Sequence, residues 1–324
     1  MLEHVQTPAL IVANGQVSFA NAAAMALLGS HILAQDVRIA IRNPDAVACI
    51  LGDAGGTVRV SDLSVGGSVW EVDCHIIAKG TRLVTLYDLS VQVGVARAHA
   101  DFVANASHEL RTPLAAILGY VETLMSPKAG EDATTRERFL GIIRHEALRM
   151  QALVEDLMSL SRIEAVKHEV PATEVDMVLL VREVAGEFRE DAPVVVTANC
   201  EAAGISGDRG QLAQVLRNLI ENARKYGRSG AVVEVMVEAT QTGWVSIAVK
   251  DEGDGIAPEH LPRLTERFYR ADTSRSRAAG GTGLGLSIVK HIVERHRGRF
   301  DITSRQGEGT TASLMLPLRE PQRP

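Results

Sequence analysis

Three side chains with complementary chemistry lie within about one helical turn, a third of the way along the sequence. His108 is followed directly by Glu109, and Thr112 stands four residues after the histidine. A neutral imidazole offers one ring nitrogen as a nucleophile while the other carries a proton. A neighbouring carboxylate can accept that proton or orient the ring, and Thr112 can position a water molecule. The pattern predicts a histidine that accepts a phosphoryl group, with a reverse, hydrolytic step assigned to the threonine.

The surrounding helix explains how these groups would be exposed. His108 falls off the apolar stripe, on a face shared with Asn105 and Thr112. Pro113 removes a backbone donor, and proline is a common cause of helix bends. We expect an exposed histidine next to a bend that lets a partner domain approach. A solvated histidine and a tolerated proline are the alternative interpretation. The apolar stripe comprises residues 103, 106, 110, 114, 117, 121 and 124.

A second amphipathic run predicts a helical hairpin. Its apolar residues are spaced alternately three and four apart, a seam typical of coiled coils and helical bundles. A break at Pro127, Lys128 and Gly130 separates the two runs. Since one hairpin cannot cover both apolar faces, we expect two copies to form an antiparallel four-helix bundle. The second seam comprises residues 140, 143, 147, 150, 154 and 157.

Polar side chains line one face of a later helix, within "QLAQVLRNLIENARKYG". Asn218, Asn222 and Lys225 recur at i, i+4 and i+7 beside an apolar stripe, and Asp208 is the expected N-cap. Two amides and an ammonium suit a polyphosphate with Mg²⁺, because the amide oxygen can bind the metal and the ammonium the phosphate. A solvated helix face is the alternative interpretation.

Two glycine-rich segments follow that helix. In "DEGDGI", Asp251 ends a strand and its carboxylate can accept from an exocyclic amine, while Gly253 and Gly255 let the backbone approach a base. In "GGTGLGLSIVKHIV", backbone N–H groups at a helix N-terminus can bind phosphate. This segment is neither a Walker A loop nor a dinucleotide-binding fingerprint. The predicted phosphate-binding residues are Gly281, Thr282, Gly283, Leu284 and Gly285.

A long loop rich in glycine and arginine lies between these two segments, as in many functional lids. Arg270 is our choice to neutralise phosphate charge. Arg267, Arg275 and Arg277 are interpreted as solvated charges of the lid.

The motifs together resemble those of sensor histidine kinases. "SHELRTPLAAI" resembles the phospho-acceptor box of that family, and four further segments resemble the boxes of its GHKL (Bergerat) ATP-binding fold. The resemblance implies that Asn222 holds Mg²⁺, Tyr226 packs on adenine and Asp251 fixes the adenine amine. "HLPRLTERFYRAD" and a short input domain resemble the phosphate-regulon (PhoR-like) sensors more than other members. The four segments are N-L-I-E-N-A-R-K-Y, D-E-G-D-G, E-R-F-Y-R and G-T-G-L-G-L.

The resemblance implies a function as well as a fold. A homodimer would bind Mg·ATP, phosphorylate His108 and pass the phosphoryl group to an aspartate of a response-regulator receiver domain, which it would also dephosphorylate. Two other classes stay open. A GHKL ATPase of the chaperone or topoisomerase type has no use for the histidine box, and a non-enzymatic dimeric scaffold would have no need of intact ATP-binding boxes.

The chain is predicted to contain three domains. Residues 1–90 read as a hairpin, helices and a three-stranded meander, an α/β order that resembles a PAS sensor domain. Residues 91–168 form the dimerisation and phosphotransfer hairpin, and residues 169–324 form an ATP-binding α/β sandwich with a final hairpin.

Composition places limits on the partners and the location. The 324 residues carry a formal charge of −6, which excludes a general attraction to nucleic acid or anionic membranes. Three cysteines without metal-type spacing are predicted to be buried, reduced thiols. Polar residues break the uncharged run of residues 5–35, so we expect no membrane span. The predicted location is cytoplasmic, or membrane-associated through a segment absent from this chain.

Overall fold

The computed structural model describes residues 2–63, 68–126, 132–166, 169–188, 193–271 and 281–319. The chain divides into two compact units, residues 1–104 and 105–324. The predicted break between the two helices, and Arg275 and Arg277 of the arginine-rich loop, lie outside the described residues. The predicted domain limits at 90/91 and 168/169 stay predictions. A search of the described helices for a bilayer-spanning segment finds none.

The first unit contains a five-stranded antiparallel sheet in the order β2-β1-β5-β4-β3. Asn14 and Gly15 both adopt positive φ, of 51° and 80°. This is the conformation that a two-residue hairpin turn requires, so the predicted hairpin is confirmed. The strands are β1 (Ala9–Ala13), β2 (Gln16–Ala20), β3 (Gly56–Ser61), β4 (Val69–Ala78) and β5 (Thr81–Asp88). The helices are α1 (Ala22–Leu28), α2 (Val37–Ala40) and α3 (Pro44–Leu51).

One face of this sheet forms a hydrophobic core with the three helices. Val72 and Val84 of the central strands are fully buried, as are Ala46 and Ile50 of α3. The predicted order of hairpin, helices and meander is thereby confirmed, whereas the resemblance to a PAS domain stays a prediction. Of the three free thiols, Cys74 is buried as predicted, but Cys49 and Cys200 are partly exposed.

Two long helices connect the first sheet to the second. They are α4 (Ser90–Leu124) and α5 (Ala133–Ala165). Tyr120 and Phe139 bring their ring centroids within 5.0 Å, and residues 109 and 149 are also in contact, so the helices run antiparallel as predicted. α4 continues through Pro113, which is buried. The predicted bend at this residue stays a prediction.

The remainder of the second unit contains a five-stranded sheet in the order β11-β12-β10-β9-β7, with β7 parallel to β9 and the other pairs antiparallel. A two-stranded sheet pairs β6 with β8. The strands are β6 (Glu174–Asp176), β7 (Val194–Ala198), β8 (Gly204–Ser206), β9 (Val233–Ala239), β10 (Trp244–Asp251), β11 (Arg299–Arg305) and β12 (Gly309–Pro317). The helices are α6 (Met177–Gly186), α7 (Arg209–Tyr226) and α8 (Gly285–Arg295).

The core of this sheet follows the predicted alternation. Val245, Ile247 and Val249 of β10 are buried, and the apolar stripe of α7, which includes Leu212 and Leu216, is buried as well. The sequence interpretation missed α6 and the β6–β8 pair. In α6, "MVLLV" is a short continuous apolar run. Such a run does not separate a buried helix from a strand by its periodicity.

Helix α5 buries a stripe that was not predicted. Its buried residues are Leu153, Leu160 and Ile163, and this helix packs against α8. Leu140 and Val154 of the predicted seam are instead about half exposed, at 52% and 47%. The helix therefore has two apolar stripes, one packed against α8 of its own unit and one left open within this chain.

The buried side chain of His296 connects α8 to the start of α7. Its Nδ1–H donates to the carbonyl oxygen of Ile292 at 2.7 Å, and its Nε2 accepts from the backbone N–H of Asp208 at 2.9 Å. Asp208 caps α7 as predicted, accepting from the N–H of Gln211. A neutral ring satisfies both contacts, whereas a protonated ring would place a donor against the Asp208 N–H.

We predict that the stability of this part of the chain falls at acidic pH. Burial lowers the pKa of His296 below its usual 6.5, so the unfolded chain binds the proton more tightly. The contribution of the neutral His296 ring to the free energy of unfolding is complete above about pH 6.5 and is lost as the pH falls below that value. Urea unfolding of a Trp70→Phe variant, followed through Trp244 fluorescence at a series of pH values, measures the effect.

The matched variant for this experiment is His296→Gln, which keeps a polar side chain but does not titrate. We expect it to lose about 1–3 kcal/mol of unfolding free energy at neutral pH, because a buried hydrogen bond is weakened. Its urea midpoint should also lack the part of the acid dependence that comes from His296 in the unsubstituted protein. A wild-type urea midpoint that does not change between about pH 7 and pH 5 would contradict the assignment.

Candidate functional site

His108 lies on the exposed face of α4 together with Asn105 and Thr112, as predicted. Thr112 Oγ1 donates a hydrogen bond to the carbonyl oxygen of His108, with 3.2 Å between the oxygens. Such a bond back to the preceding turn is common for threonine in helices. The imidazole is therefore accessible from solvent, and the Thr112 hydroxyl, whose proton is used by this bond, can still accept from a water molecule.

The carboxylate of Glu109 faces two arginines. Its Oε2 lies 3.2 Å from Nη2 of Arg149 on α5 and 3.4 Å from Nη2 of Arg270. Both arginine side chains are nearly buried, with 10% and 8% of their surface exposed. Charge-assisted hydrogen bonds of this kind are stronger than neutral ones. The group predicted to act on His108 is thus also the point where the ATPase-like part contacts the helical hairpin.

Arg270 has a second partner in the glycine-rich segment, since its Nη2 also donates to the carbonyl oxygen of Gly281. Sequence reasoning assigned Arg270 to phosphate charge. In this arrangement its guanidinium contacts Glu109 and Gly281, so the phosphate assignment stays a prediction.

Helix α7 presents the predicted amides and ammonium along one side. Asn218 Nδ2 donates to the carbonyl oxygen of Gly285 at 3.3 Å, which fixes the start of α8 against α7. Asn222 is half-buried one turn later. Burial, together with the nearby cations Arg270 and Arg149, lowers the pKa of Lys225 to about 8. This electrostatic environment favours an incoming anion.

Asp251 lies at the end of β10, nearly buried, as its predicted contact with a base requires. Burial raises the pKa of its carboxyl, while the backbone N–H of Gly253, which donates to Oδ1 at 2.8 Å, opposes that rise. A Cβ at Gly253 would collide with the carbonyl oxygen of Tyr226. Glycine is therefore required where this turn passes the end of α7.

The glycine-rich segment is joined to Phe268, which lies in the first part of the arginine-rich loop. The N–H of Phe268 donates to the carbonyl oxygen of Gly283 at 2.9 Å. Gly283 has a φ of +75°, and a Cβ there would come within 2.9 Å of the Phe268 backbone. Phe268 itself has a φ of +64°, which is costly for a residue with a side chain. The two ends of the loop are thus held together.

Two further contacts connect this segment to the helical hairpin, and sequence reasoning found neither. Thr282 Oγ1 donates to Oδ2 of Asp156 on α5 at 2.6 Å, and burial raises the pKa of that carboxyl. Arg267, predicted to be a solvated charge, pairs with Glu164 near the end of α5. These partners are more than 100 positions apart in the sequence, so no local pattern could have found them.

The predicted nucleotide residues occupy two adjacent places. A cavity of about 440 Å³ is lined by Lys225 and Asp251, together with the turn after α7. Asn218 and Gly285 meet where α7 contacts α8. Leu284 has a fully buried side chain, and its N–H is bonded to Thr282 Oγ1. The remaining predicted residues do not line the cavity; they are Asn222, Tyr226, Gly253, Gly255, Arg270, Gly281 and Gly283.

Two regions of the chain match protein-family models. Residues 98–166 match the His Kinase A (phospho-acceptor) domain. Residues 207–320 match the histidine kinase-, DNA gyrase B- and HSP90-like ATPase family. The first range includes His108, Glu109 and Thr112, and the second includes all the residues predicted to bind nucleotide.

Curated relatives match across both regions. The phosphate regulon sensor protein PhoR of Pseudomonas aeruginosa is 38% identical over 248 residues, covering 73% of this chain and 54% of that protein. The sensor protein kinase WalK of Staphylococcus saprophyticus is 36% identical over 260 residues, covering 78% of this chain and 42% of that protein. The chain spans about half the length of the curated relatives it matches.

Solved structures share the fold. The histidine kinase AdeS of Acinetobacter baumannii has a TM-score of 0.50 at 24% identity and covers 66% of this chain and 98% of its own. Histidine kinase ThkA, solved in complex with the response regulator protein TrrA, has a TM-score of 0.50 at 18% identity and covers 99% of this chain and 98% of its own.

We predict that the affinity for Mg·ATP decreases as the pH rises through about 8. The Lys225 ammonium has a pKa of about 8 in the free protein, and phosphate oxygens would raise that pKa on binding. Loss of the proton therefore opposes binding, by up to about tenfold in Kd for each pH unit above 8. Calorimetric titration at several pH values measures the Kd for Mg·ATP. Lys225→Arg keeps its charge throughout, so a pH dependence as steep in that variant as in wild type would contradict the prediction.

Proposed function

The chain belongs to the sensor histidine kinase family, and from that membership we propose that it transfers the γ-phosphoryl group of Mg·ATP to His108. The phosphoryl group would then pass to an aspartate of a response-regulator receiver domain. The observation that carries the proposal is the contact between Glu109, next to the exposed imidazole, and Arg270, next to the glycine-rich segment. This contact joins the acceptor helix directly to the ATPase-like part of the same unit.

The proposed transfer requires a nucleophile, a base and an electrophile. One ring nitrogen of neutral His108 would attack the γ-phosphorus, and the bond from that phosphorus to the β–γ bridging oxygen would break with its electron pair, releasing ADP. Glu109 would accept the proton from the other ring nitrogen. The protein then contributes positioning and charge neutralisation, as expected for phosphoryl transfer.

The residues present fit a magnesium nucleotide. Asn222 offers an amide oxygen on the same side of α7 as Lys225, and Asp251 offers a nearly buried carboxylate at the far edge of the cavity. Mg²⁺ prefers oxygen ligands and commonly shares them between a protein and phosphates. Bound at Asn222, the ion would neutralise charge on the transferring group. Tyr226, with 38% of its surface exposed, is available to pack on the base.

A second copy of the chain is the proposed partner of the helical hairpin. Large apolar side chains of both helices are exposed in the single chain, including Val103 and Leu114 on α4 and Leu140 and Val154 on α5. These four positions belong to the predicted seams, and a four-helix bundle would cover them.

Residues 1–90 are proposed to be a PAS-like input domain, which their antiparallel sheet with helices on one face supports. Phosphate-regulon sensing also stays a prediction.

We expect His108→Gln to abolish labelling by γ-labelled ATP, because the substitution removes the nucleophile. Wild-type label should survive base and be lost in acid, as a phosphohistidine would. His99→Gln is the matched control, because His99 is another exposed histidine of α4, and it should label like wild type. Equal labelling of the His108 variant would refute the assignment. ATP hydrolysis without protein labelling would favour another GHKL ATPase. The absence of both ATP hydrolysis and labelling would favour a non-enzymatic scaffold.

We expect Thr112→Ala to retain autophosphorylation but to slow dephosphorylation of the phosphorylated regulator by roughly tenfold or more, because the hydroxyl that positions water is lost. Thr112→Ser keeps a hydroxyl one turn after His108 and should stay close to wild type. The measurement is the half-life of a phosphorylated receiver domain with each variant. A half-life that is unchanged with the alanine variant would remove Thr112 from this role.

A further inference from the structure

Arg149 lies inside the helical hairpin, opposite the residue that follows the acceptor histidine. Its side chain extends from α5 toward α4, and Nη2 lies 3.2 Å from Oε2 of Glu109. Only 10% of the arginine side chain is exposed. A nearly buried guanidinium needs a fixed partner, because an unpaired charge at such a site is costly.

The other end of the guanidinium has a partner of its own. Nη1 of Arg149 lies 3.6 Å from Oε2 of Glu146, one turn earlier on α5. The guanidinium therefore lies between two carboxylates, one from each helix. It donates a hydrogen bond to Glu109, whereas its contact with Glu146 is an ion pair without a hydrogen bond. Because a guanidinium has a rigid set of donors, this arrangement fixes where Oε2 of Glu109 lies relative to α5.

Arg149 shares that oxygen with Arg270, whose Nη2 is 3.4 Å from it. The two arginines lie on different elements of the fold. Arg270 belongs to the segment next to the nucleotide site, which would have to change partners to reach a phosphate, whereas Arg149 belongs to the same hairpin as Glu109. Arg149 can thus keep its contact with Glu109 when Arg270 leaves.

We propose that Arg149 is a positioning residue that aims the Glu109 carboxylate during phosphoryl transfer to His108. The inference rests on the proposed function and adds a residue to it. With Arg270 drawn to the nucleotide, Arg149 holds one oxygen of Glu109 and leaves the carboxylate aligned to accept the ring proton of His108. The side-chain contacts of Arg149 are with Glu109 and Glu146 and not with the residues predicted to bind nucleotide, so its main effect is on the transfer step and not on the affinity for ATP.

The test compares variants of the full chain in autophosphorylation and in nucleotide binding. We expect Arg149→Met to lower the maximal labelling rate roughly tenfold to hundredfold, because a misplaced base loses much of its effect. The KM for ATP and the calorimetric Kd for Mg·ATP should stay within about twofold of wild type. Arg149→Lys, which keeps the charge without the fork, should recover part of the rate. Arg144→Met, on the exposed surface of the same helix, should label like wild type.

A double-mutant cycle shows whether Arg149 acts through Glu109. In a Glu109→Gln background, Arg149→Met should cause little further loss of rate, since the carboxylate that it aims is already absent. A further loss as large as in wild type would overturn the inference, and so would a wild-type rate in Arg149→Met. If thermal denaturation shows that Arg149→Met fails to fold, Arg149→Lys decides. A wild-type labelling rate in the lysine variant overturns the inference, and so does a loss of rate that is fully additive with that of Glu109→Gln. Wild-type protein that takes up no label overturns the proposed function itself.

Discussion

A single carboxylate oxygen joins the helical hairpin to the rest of the second unit. Oε2 of Glu109 receives Arg149 from the helical hairpin and Arg270 from the segment beside the glycine-rich motif. The residue adjacent to His108, the proposed phosphoryl acceptor, is therefore also a docking point for the part of the unit that contains α7 and α8. Partly buried ion pairs of this kind specify one arrangement more than they add net stability. In the arrangement seen, the segment that must reach the nucleotide is held by the acceptor helix.

In two further contacts, an acidic residue of the hairpin again pairs with a donor from the rest of the unit. Asp156 accepts from Thr282, and Glu164 pairs with Arg267 of the arginine-rich loop. The Arg267 and Glu164 side chains are 25% and 37% exposed, and exposed pairs contribute about 1 kcal/mol or less. Several weak contacts can define a docked state while leaving it within a few kcal/mol of an undocked one. The buried stripe of Leu153, Leu160 and Ile163 on α5 supplies the apolar part of the same interface.

Local chemistry was predictable from the sequence and long-range pairing was not. Asn218, Asn222 and Lys225 share a helix face by their spacing alone, and the structure confirms that helix. The exposed face of His108 followed in the same way. Arg149 gave no such signal, because its partner is 40 positions away and on another helix. The second stripe of α5 was missed because its function depends on α8, and residues 1–90 offer no chemical motif that could identify their role.

The nucleotide site and the docking contact are linked by positive charge. Burial lowers the pKa of Lys225, and the charges of Arg270 and Arg149 lower it further, so these cations repel one another while no polyphosphate is bound. Glu109 relieves part of that repulsion by accepting from both arginines. A polyphosphate would relieve it more completely, since it offers several anionic oxygens to Lys225 and Arg270. Nucleotide binding would then weaken the hold of Arg270 on Glu109 and, by reciprocity, the docked arrangement would oppose nucleotide binding.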